Sequence, residues 1–249
     1  MLFRPLPPAA LALAGVLLGA SWLPAPLRAA PSLQALQAAL NDPSPQALSA
    51  VLAAGEGLDP AQIEQRRVLL RQRFPDAQWR VQTGAPLKDG RPTTEVVVSG
   101  SRQEGPIRFR LEARQQLVLS GSGSRFNRQE VIRESSILRS GDADLKVSLL
   151  IPDAVLTGQR YDLDVVFDDP LEGAVVAGAI KPVSAGELLR LQTPDMPLEA
   201  LGGGGLFKSV QAPYQPGLQT WGVLLVHPKG VVAASKQVRV VADRAGLQL

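Results

Sequence analysis

Few side chains in this 249-residue sequence could carry out covalent chemistry or hold a transition metal. The sequence contains no cysteine, which excludes disulfides, thiolate metal ligands and a thiolate nucleophile. Its one histidine, His227, precedes Pro228 in a turn-like stretch and has no evident carboxylate partner. We expect His227 to shape a turn and not to complete a Ser-His-Asp triad. The sequence therefore assigns no catalytic residue and no cofactor, and a non-enzymatic protein is the favoured interpretation.

The densest acidic group consists of Asp162, Asp164, Asp168, Asp169 and Glu172. A calcium ion takes about six to eight oxygen ligands from converging loops, and this spacing is not that of an EF-hand. Asp162 and Asp164 alternate with apolar residues, which predicts a strand with these carboxylates on its outer face. We assign no metal site, and calcium binding around Asp168 stays an open alternative.

A glycine run, Gly202–Gly205, precedes Phe207-Lys208-Ser209 and is similar in composition to a phosphate-binding loop. That motif needs a glycine immediately before the Lys-Ser pair, where this sequence has Phe207. We therefore predict a loop or sharp corner that enters a strand. Trp221 and Tyr214 are expected in a core, although an exposed aromatic pair would instead suggest a sugar-binding surface.

The first 29 residues have the three-part layout of a secretory signal peptide. One positive charge at Arg4 precedes an apolar run over 9–23, and the small residues Ala29-Ala30 follow two prolines. The run would span only about 20–23 Å as a helix, less than the ~30 Å hydrocarbon layer. We predict cleavage near Ala29 and export to a periplasmic or extracellular location, with an uncleaved membrane anchor as the alternative.

The net charge gives no support for a nucleic-acid partner. The pI is about 9.5, but the predicted signal peptide contains Arg4 and Arg28 and no acidic residue. Without the predicted signal peptide the chain has 24 basic and 23 acidic residues.

The chain after the signal peptide begins with three helical patterns. Ser32 and Asp59-Pro60 provide N-terminal caps for the first and third helices, Ser44-Pro45 begins the second, and Pro75 ends the third. The pattern then changes to alternation, as in strands over 79–83, 93–101, 107–119 and 126–139. This order predicts an α+β domain, with helices packed on a curved antiparallel sheet.

Beyond Ser140-Gly141-Asp142, short strand patterns and turn residues dominate. Six strands in about 100 residues, with corners rich in proline and glycine, favour a β-sandwich. The predicted organisation is therefore a signal peptide at 1–29, an α+β domain at 30–141 and an all-β sandwich at 142–249.

Two resemblances can be named on these elements. Residues 32–140, through the hairpin IRFRLEARQQLVLSGSGSRFNRQEVIRESSIL, resemble the cone-shaped domain shared by nuclear transport factor two, ketosteroid isomerase and polyketide-cyclase-like proteins. Residues 145–241, chiefly through PGLQTWGVLLVHPKGVVAASKQVRVV, resemble an immunoglobulin- or fibronectin-type sandwich. Both folds host many unrelated functions, so the resemblances imply a shape more than an activity.

The cone resemblance implies a pocket between the helices and the sheet. Phe109 and Leu111 lie on the apolar side of the strand over 107–119, and we assign them to this pocket together with Trp79. A catalytic cone pocket would need an acid or a base. The conceivable bases are Glu95, Glu130 and Glu134. The first domain contains no tyrosine or histidine that could assist them.

The opposite side of the same strand carries Arg108, Arg110 and Arg114, which we assign to partner binding. The alternative is a solvated face on which Glu112 balances part of the charge. Cone-type domains frequently pair through this face, so the resemblance also implies a possible homodimer.

These observations predict an exported, non-catalytic binding or assembly protein of the cell envelope. It would engage a protein partner or an apolar small molecule through the pocket or the cleft between domains. The alternatives are a cone-fold isomerase, dehydratase or hydrolase, and glycan attachment through the sandwich, which would require a row of exposed aromatics.

Overall fold

The structure, a computed structural model, describes residues 31–141, 144–168, 171–184, 186–187 and 195–248. The predicted signal peptide with its cleavage point near Ala29, and Asp142 and Asp169, lie outside the described residues. Within the described ranges, no helix is long and apolar enough to cross a membrane.

Three short α-helices come first: α1 (Leu33–Asn41), α2 (Ala47–Val51) and α3 (Pro60–Arg73). The predicted caps of α1 and α3 are confirmed. Ser32 Oγ accepts the Ala35 N–H at 3.4 Å, and the Asp59 carboxylate accepts two N–H groups of the first turn of α3. Helix α2 is shorter than the pattern suggested, because Leu52 leaves the helical conformation and forms a β-bridge with Phe126.

Twelve strands follow within the described residues, and most of the predicted strand positions are confirmed to within a few residues. Their bounds are β1 (Gln78–Gly84), β2 (Thr93–Glu104), β3 (Ile107–Ser122), β4 (Arg125–Ser140), β5 (Val147–Leu150), β6 (Ala154–Leu156), β7 (Arg160–Phe167), β8 (Ala177–Val183), β9 (Glu199–Ala200), β10 (Gly205–Gln211), β11 (Gly217–His227) and β12 (Gly230–Val241).

These strands form two sheets. The large sheet has nine strands, with eight in the order β1-β2-β3-β4-β12-β11-β8-β9 and β6 paired parallel to β12. Neighbours along the eight-strand path are antiparallel. The small sheet has the order β10-β7-β5.

The large sheet carries a different hydrophobic core on each face. Where β4 pairs with β12, Ile137 lies opposite Ala234 and the adjacent Leu138 lies opposite Ala233. Successive side chains of a strand point to opposite faces. Leu138 packs in the core beneath α1 and α2, whereas Ile137 and Ala234 pack in the core shared with the small sheet. The helices and the small sheet therefore cover opposite faces of the large sheet.

The predicted fold class, an α+β domain of helices on a curved sheet followed by an all-β immunoglobulin-like sandwich, is wrong. The described residues are mostly β, with 53% in strands and 16% in helices. Only α1 and α2 contribute fully buried apolar side chains; on α3 the fully buried residue is Arg67. The sheet beneath the helices does not end at β4 but continues into β12.

The predicted division at residue 141 stays a prediction. The chain turns at Gly141, and the neighbouring Ser140 Oγ accepts the Val231 N–H at 3.0 Å. Pairing between β4 and β12 joins the two predicted domains through the backbone.

Candidate functional site

A cavity of about 290 Å³ lies between the helices and the inner face of the large sheet. Strands β2 and β3 supply its apolar floor, and α1, α3 and the loop between α2 and α3 supply its walls. The apolar residues that line it are Leu36, Leu40, Leu52, Leu58, Ile63, Leu70, Trp79, Val96, Val98, Leu111, Ala113, Leu117 and Leu119.

One end of the cavity is polar. Gln115 on β3 lies opposite Glu134 on β4, and the Gln115 Nε2 donates a hydrogen bond of 2.7 Å to a carboxylate oxygen of Glu134. One step along the strands, the hydroxyls of Ser136 and Ser235 share a hydrogen bond of 2.7 Å across the β4–β12 pair. These four half-buried side chains all line the cavity. The cavity is therefore mostly apolar, but at one end its side chains can donate and accept hydrogen bonds.

Two arginines of α3 fix the wall of the cavity by binding the end of α1. The guanidinium of Arg67, 3% exposed, forms a two-point ion pair with Glu64 and donates to the carbonyls of Asp42 and Ser44. Arg71 donates to the Asn41 carbonyl at 2.5 Å. Carbonyl groups at a helix C-terminus lack intrahelical partners and favour cations. Two of the arginines on α3 therefore stabilise the packing of α3 against the end of α1. The spacing of apolar and basic residues along α3 does not predict these contacts.

The three predicted ligand-binding residues occupy two environments. Trp79 and Leu111 line the cavity, and the guanidinium carbon of Arg71 lies 5.2 Å from the centre of the Trp79 ring. Phe109 packs at the edge of the same core but is not among the lining residues, and Arg102 covers its ring at 4.6 Å. A role in ligand binding stays a prediction for all three.

The three arginines predicted to bind a partner lie on the opposite face of β3. Arg114 pairs with Glu112 at 2.8 Å and with Glu95 at 3.5 Å. The hydrogen bond to Glu112 raises the pKa of Arg114 above its ordinary value. Arg110 lies 3.9 Å from Asp144, and Arg108 is exposed. Part of this charge is thus balanced within the chain, and partner binding here stays a prediction.

The structure separates the three carboxylates considered as bases. Glu134 lines the cavity, whereas Glu95 binds Gln82 at 2.7 Å on the outer face. Glu130 forms an ion pair of 2.6 Å with Arg91, away from the cavity. Only Glu134 is therefore placed to meet a molecule inside the cavity.

Other residues singled out in the sequence have local structural roles. His227 Nδ1 accepts the Lys229 N–H at 3.0 Å inside the β11–β12 turn, as expected for a turn residue. The glycine run forms the predicted corner into β10, with Gly204 at a φ of 76°. Trp221 is buried and donates to the Tyr161 hydroxyl at 2.9 Å. The expectation that Tyr214 lies in a core is wrong, because it is 79% exposed.

The acidic group has no metal-site geometry in the part of it that the structure describes. Asp162 and Asp168 are exposed. Across the described ranges no three acidic or histidine side chains converge as a metal site would require.

A family model matches the second part of the chain. Residues 142–241 are similar to a family described as a domain of unknown function, DUF8623. The match covers less than half of the chain and includes strands β5 to β12, but not the helices or the floor of the cavity. Among curated proteins, none matches this chain.

Sequence reasoning did not single out three of the polar cavity residues: Gln115, Ser136 and Ser235. Gln115 shares the parity of Leu111, Ala113 and Leu117 on β3, and this alternation could have found it. The two serines come together only through the pairing of β4 with β12, for which the sequence carries no signal.

Proposed function

We propose that this protein is exported and binds a small, mostly apolar molecule in the cavity beneath its helices. The observation that carries the proposal is the cavity itself, lined mostly by apolar side chains, with hydrogen-bonding groups at one end. Ligand sites are typically apolar clefts of about 300–1,000 Å³ with a few polar groups that orient the ligand. A volume near 290 Å³ suits a small ligand.

Export is proposed from the N-terminal sequence alone. Its support is the single charge at Arg4, the short apolar run over 9–23 and the small residues at Ala29-Ala30. An exported binding protein without cysteine would depend on its two packed cores for stability, and on no disulfide.

The binding proposal can be tested with N-phenyl-1-naphthylamine, a neutral dye that becomes fluorescent in an apolar site. We expect saturable binding to the full chain. Ala113 lines the cavity floor, so Ala113→Phe should fill much of the space and lower the affinity for the dye at least about tenfold, since overpacking excludes the ligand.

Val118→Phe is the matched control. Val118 lies on the same strand between the cavity residues Leu117 and Leu119, so its side chain points to the opposite face. This variant should bind the dye as the unmodified protein does. Equal binding by both folded variants, or no saturable binding by the unmodified protein, would contradict the proposal.

A second candidate function is catalysis in the same cavity, which Glu134 favours. A general base must lie within hydrogen-bond reach of the proton that it abstracts, and Glu134 lines the space that a substrate would occupy. No histidine or tyrosine is among the described cavity residues. The test is mass spectrometry of a cell-envelope extract incubated with the protein. A compound converted by the unmodified protein and left intact by Glu134→Gln would support catalysis, and two identical profiles would reject it.

A further inference from the structure

Glu134 is a carboxylate without a cationic partner among the described residues. The one side chain bonded to it is Gln115, whose amide donates at 2.7 Å. An amide is neutral, so this hydrogen bond leaves the negative charge uncompensated. A carboxylate beside apolar surface is costly unless an opposite charge or several donors satisfy it.

The basic side chains closest to Glu134 along β4 and β12 form ion pairs on the face of the sheet opposite the cavity. Arg133 forms an ion pair of 2.8 Å with Asp153, and Lys236 also binds Asp153. Lys236 neighbours the cavity residue Ser235, so its side chain points away from the cavity. Neither cation is free to turn toward Glu134 without leaving Asp153.

The two arginines that line the cavity belong to the opposite wall. Arg67 is fully engaged with Glu64 and with carbonyls at the end of α1. Arg66 lines the cavity with a side chain that is exposed to solvent. The sheet end of the cavity thus presents the acceptors of Glu134, Ser136 and Ser235, while the helix end carries the positive charge.

We propose that the ligand of this cavity has an apolar body and a cationic amine head group, with the amine bound to Glu134. This inference rests on the proposed binding function. A primary ammonium has three N–H donors and no acceptor. Its N–H groups can donate to the carboxylate of Glu134, and the hydroxyls of Ser136 and Ser235 supply further acceptor oxygens in the same cavity. Charge-assisted hydrogen bonds of this kind are stronger than those between neutral groups.

The test uses three competitors with the same eight-carbon chain: octylamine, 1-octanol and octanoate. Each is titrated at neutral pH into the full chain with N-phenyl-1-naphthylamine bound, and loss of dye fluorescence reports displacement. We expect octylamine to displace the dye at a concentration about tenfold lower than 1-octanol, with octanoate the weakest. Within the Glu134→Gln variant, octylamine and 1-octanol should displace the dye at similar concentrations, and urea denaturation shows whether the variant is folded.

Glu95→Gln is the control, because Glu95 lies outside the cavity and should not alter the order of the competitors. Failure of the dye to bind would overturn the binding function itself. Dye binding with no preference among the three head groups would overturn the amine head group alone. A preference for octanoate would overturn it as well.

Discussion

Arg67 and Glu134 are both charged, but among the described residues only Arg67 has an oppositely charged partner. Arg67 is buried and satisfied by Glu64 and by carbonyls at the end of α1, so it joins α3 to α1. Glu134 faces a cavity and is bonded to one neutral amide. The first arrangement stabilises the wall of the site, and the second is available to a ligand.

Arg67→Met should lower the free energy of unfolding by about 2–4 kcal/mol, because two carbonyls and a carboxylate lose a buried donor. Arg73→Met is the control, since Arg73 is exposed on the same helix and should change stability by less than about 0.5 kcal/mol. Urea denaturation measures both values. Equal, small losses would show that Arg67 does not hold α3 in place.

At the residue scale, part of the site could be predicted from the sequence. Alternation on β3 places Leu111 on the side of the predicted pocket, to which Trp79 on β1 is also assigned, and both line the cavity. Alternation does not decide between Glu130 and Glu134, which are four residues apart and would share a face on a regular strand. The structure places them on opposite faces.

The reason lies at the scale of the element, in a β-bulge between β3 and β4. Leu117 lies opposite Val131 and Gln116 opposite Arg133, so Ile132 is an extra residue on β4. A bulge shifts the alternation of the strand that carries it. Before the bulge the odd-numbered Val131 faces the helices, and after it the even-numbered Glu134 does. No pattern in the sequence predicts the bulge. The face of the sheet on which Glu134 lies could therefore be determined only from the structure.

The loop between α2 and α3 should be sensitive to one added methyl group. Gly57 has a φ of 68°, and a Cβ there would lie 2.1 Å from the backbone oxygen of Gln129 on β4. Gly90 has a φ of 86°, but a Cβ there would meet nothing within 4 Å. Gly57→Ala should therefore lower the free energy of unfolding by about 2 kcal/mol more than Gly90→Ala does. Both substitutions strain a backbone with positive φ, so the difference between them measures the clash alone.

Thermal or urea unfolding of the two variants measures this difference. The Glu56 carbonyl accepts the Gln129 N–H at 2.9 Å in the same loop, so a large loss for Gly57→Ala would also show that this contact holds the helices over the sheet. Similar losses for the two variants would mean that the loop can move away from β4.

At the scale of the whole molecule, the nine-stranded sheet joins segments that are distant in the sequence. The paired serines Ser136 and Ser235 are 99 residues apart. Periodicity locates strands but carries no information about which distant strands pair. Most strands could therefore be predicted, while the fold class could not, because the pairing of β4 with β12 turns two expected units into one continuous sheet with a core on each face.

The central claim is that the cavity beneath the helices is the binding site. The most direct test is NMR of the full chain with bound N-phenyl-1-naphthylamine, measuring nuclear Overhauser effects between dye protons and assigned methyl groups. We predict contacts with the methyls of Leu111 and Leu117 on the cavity floor. Contacts confined to Val223 and Leu225 in the other core, or to the exposed Leu150, would contradict the claim.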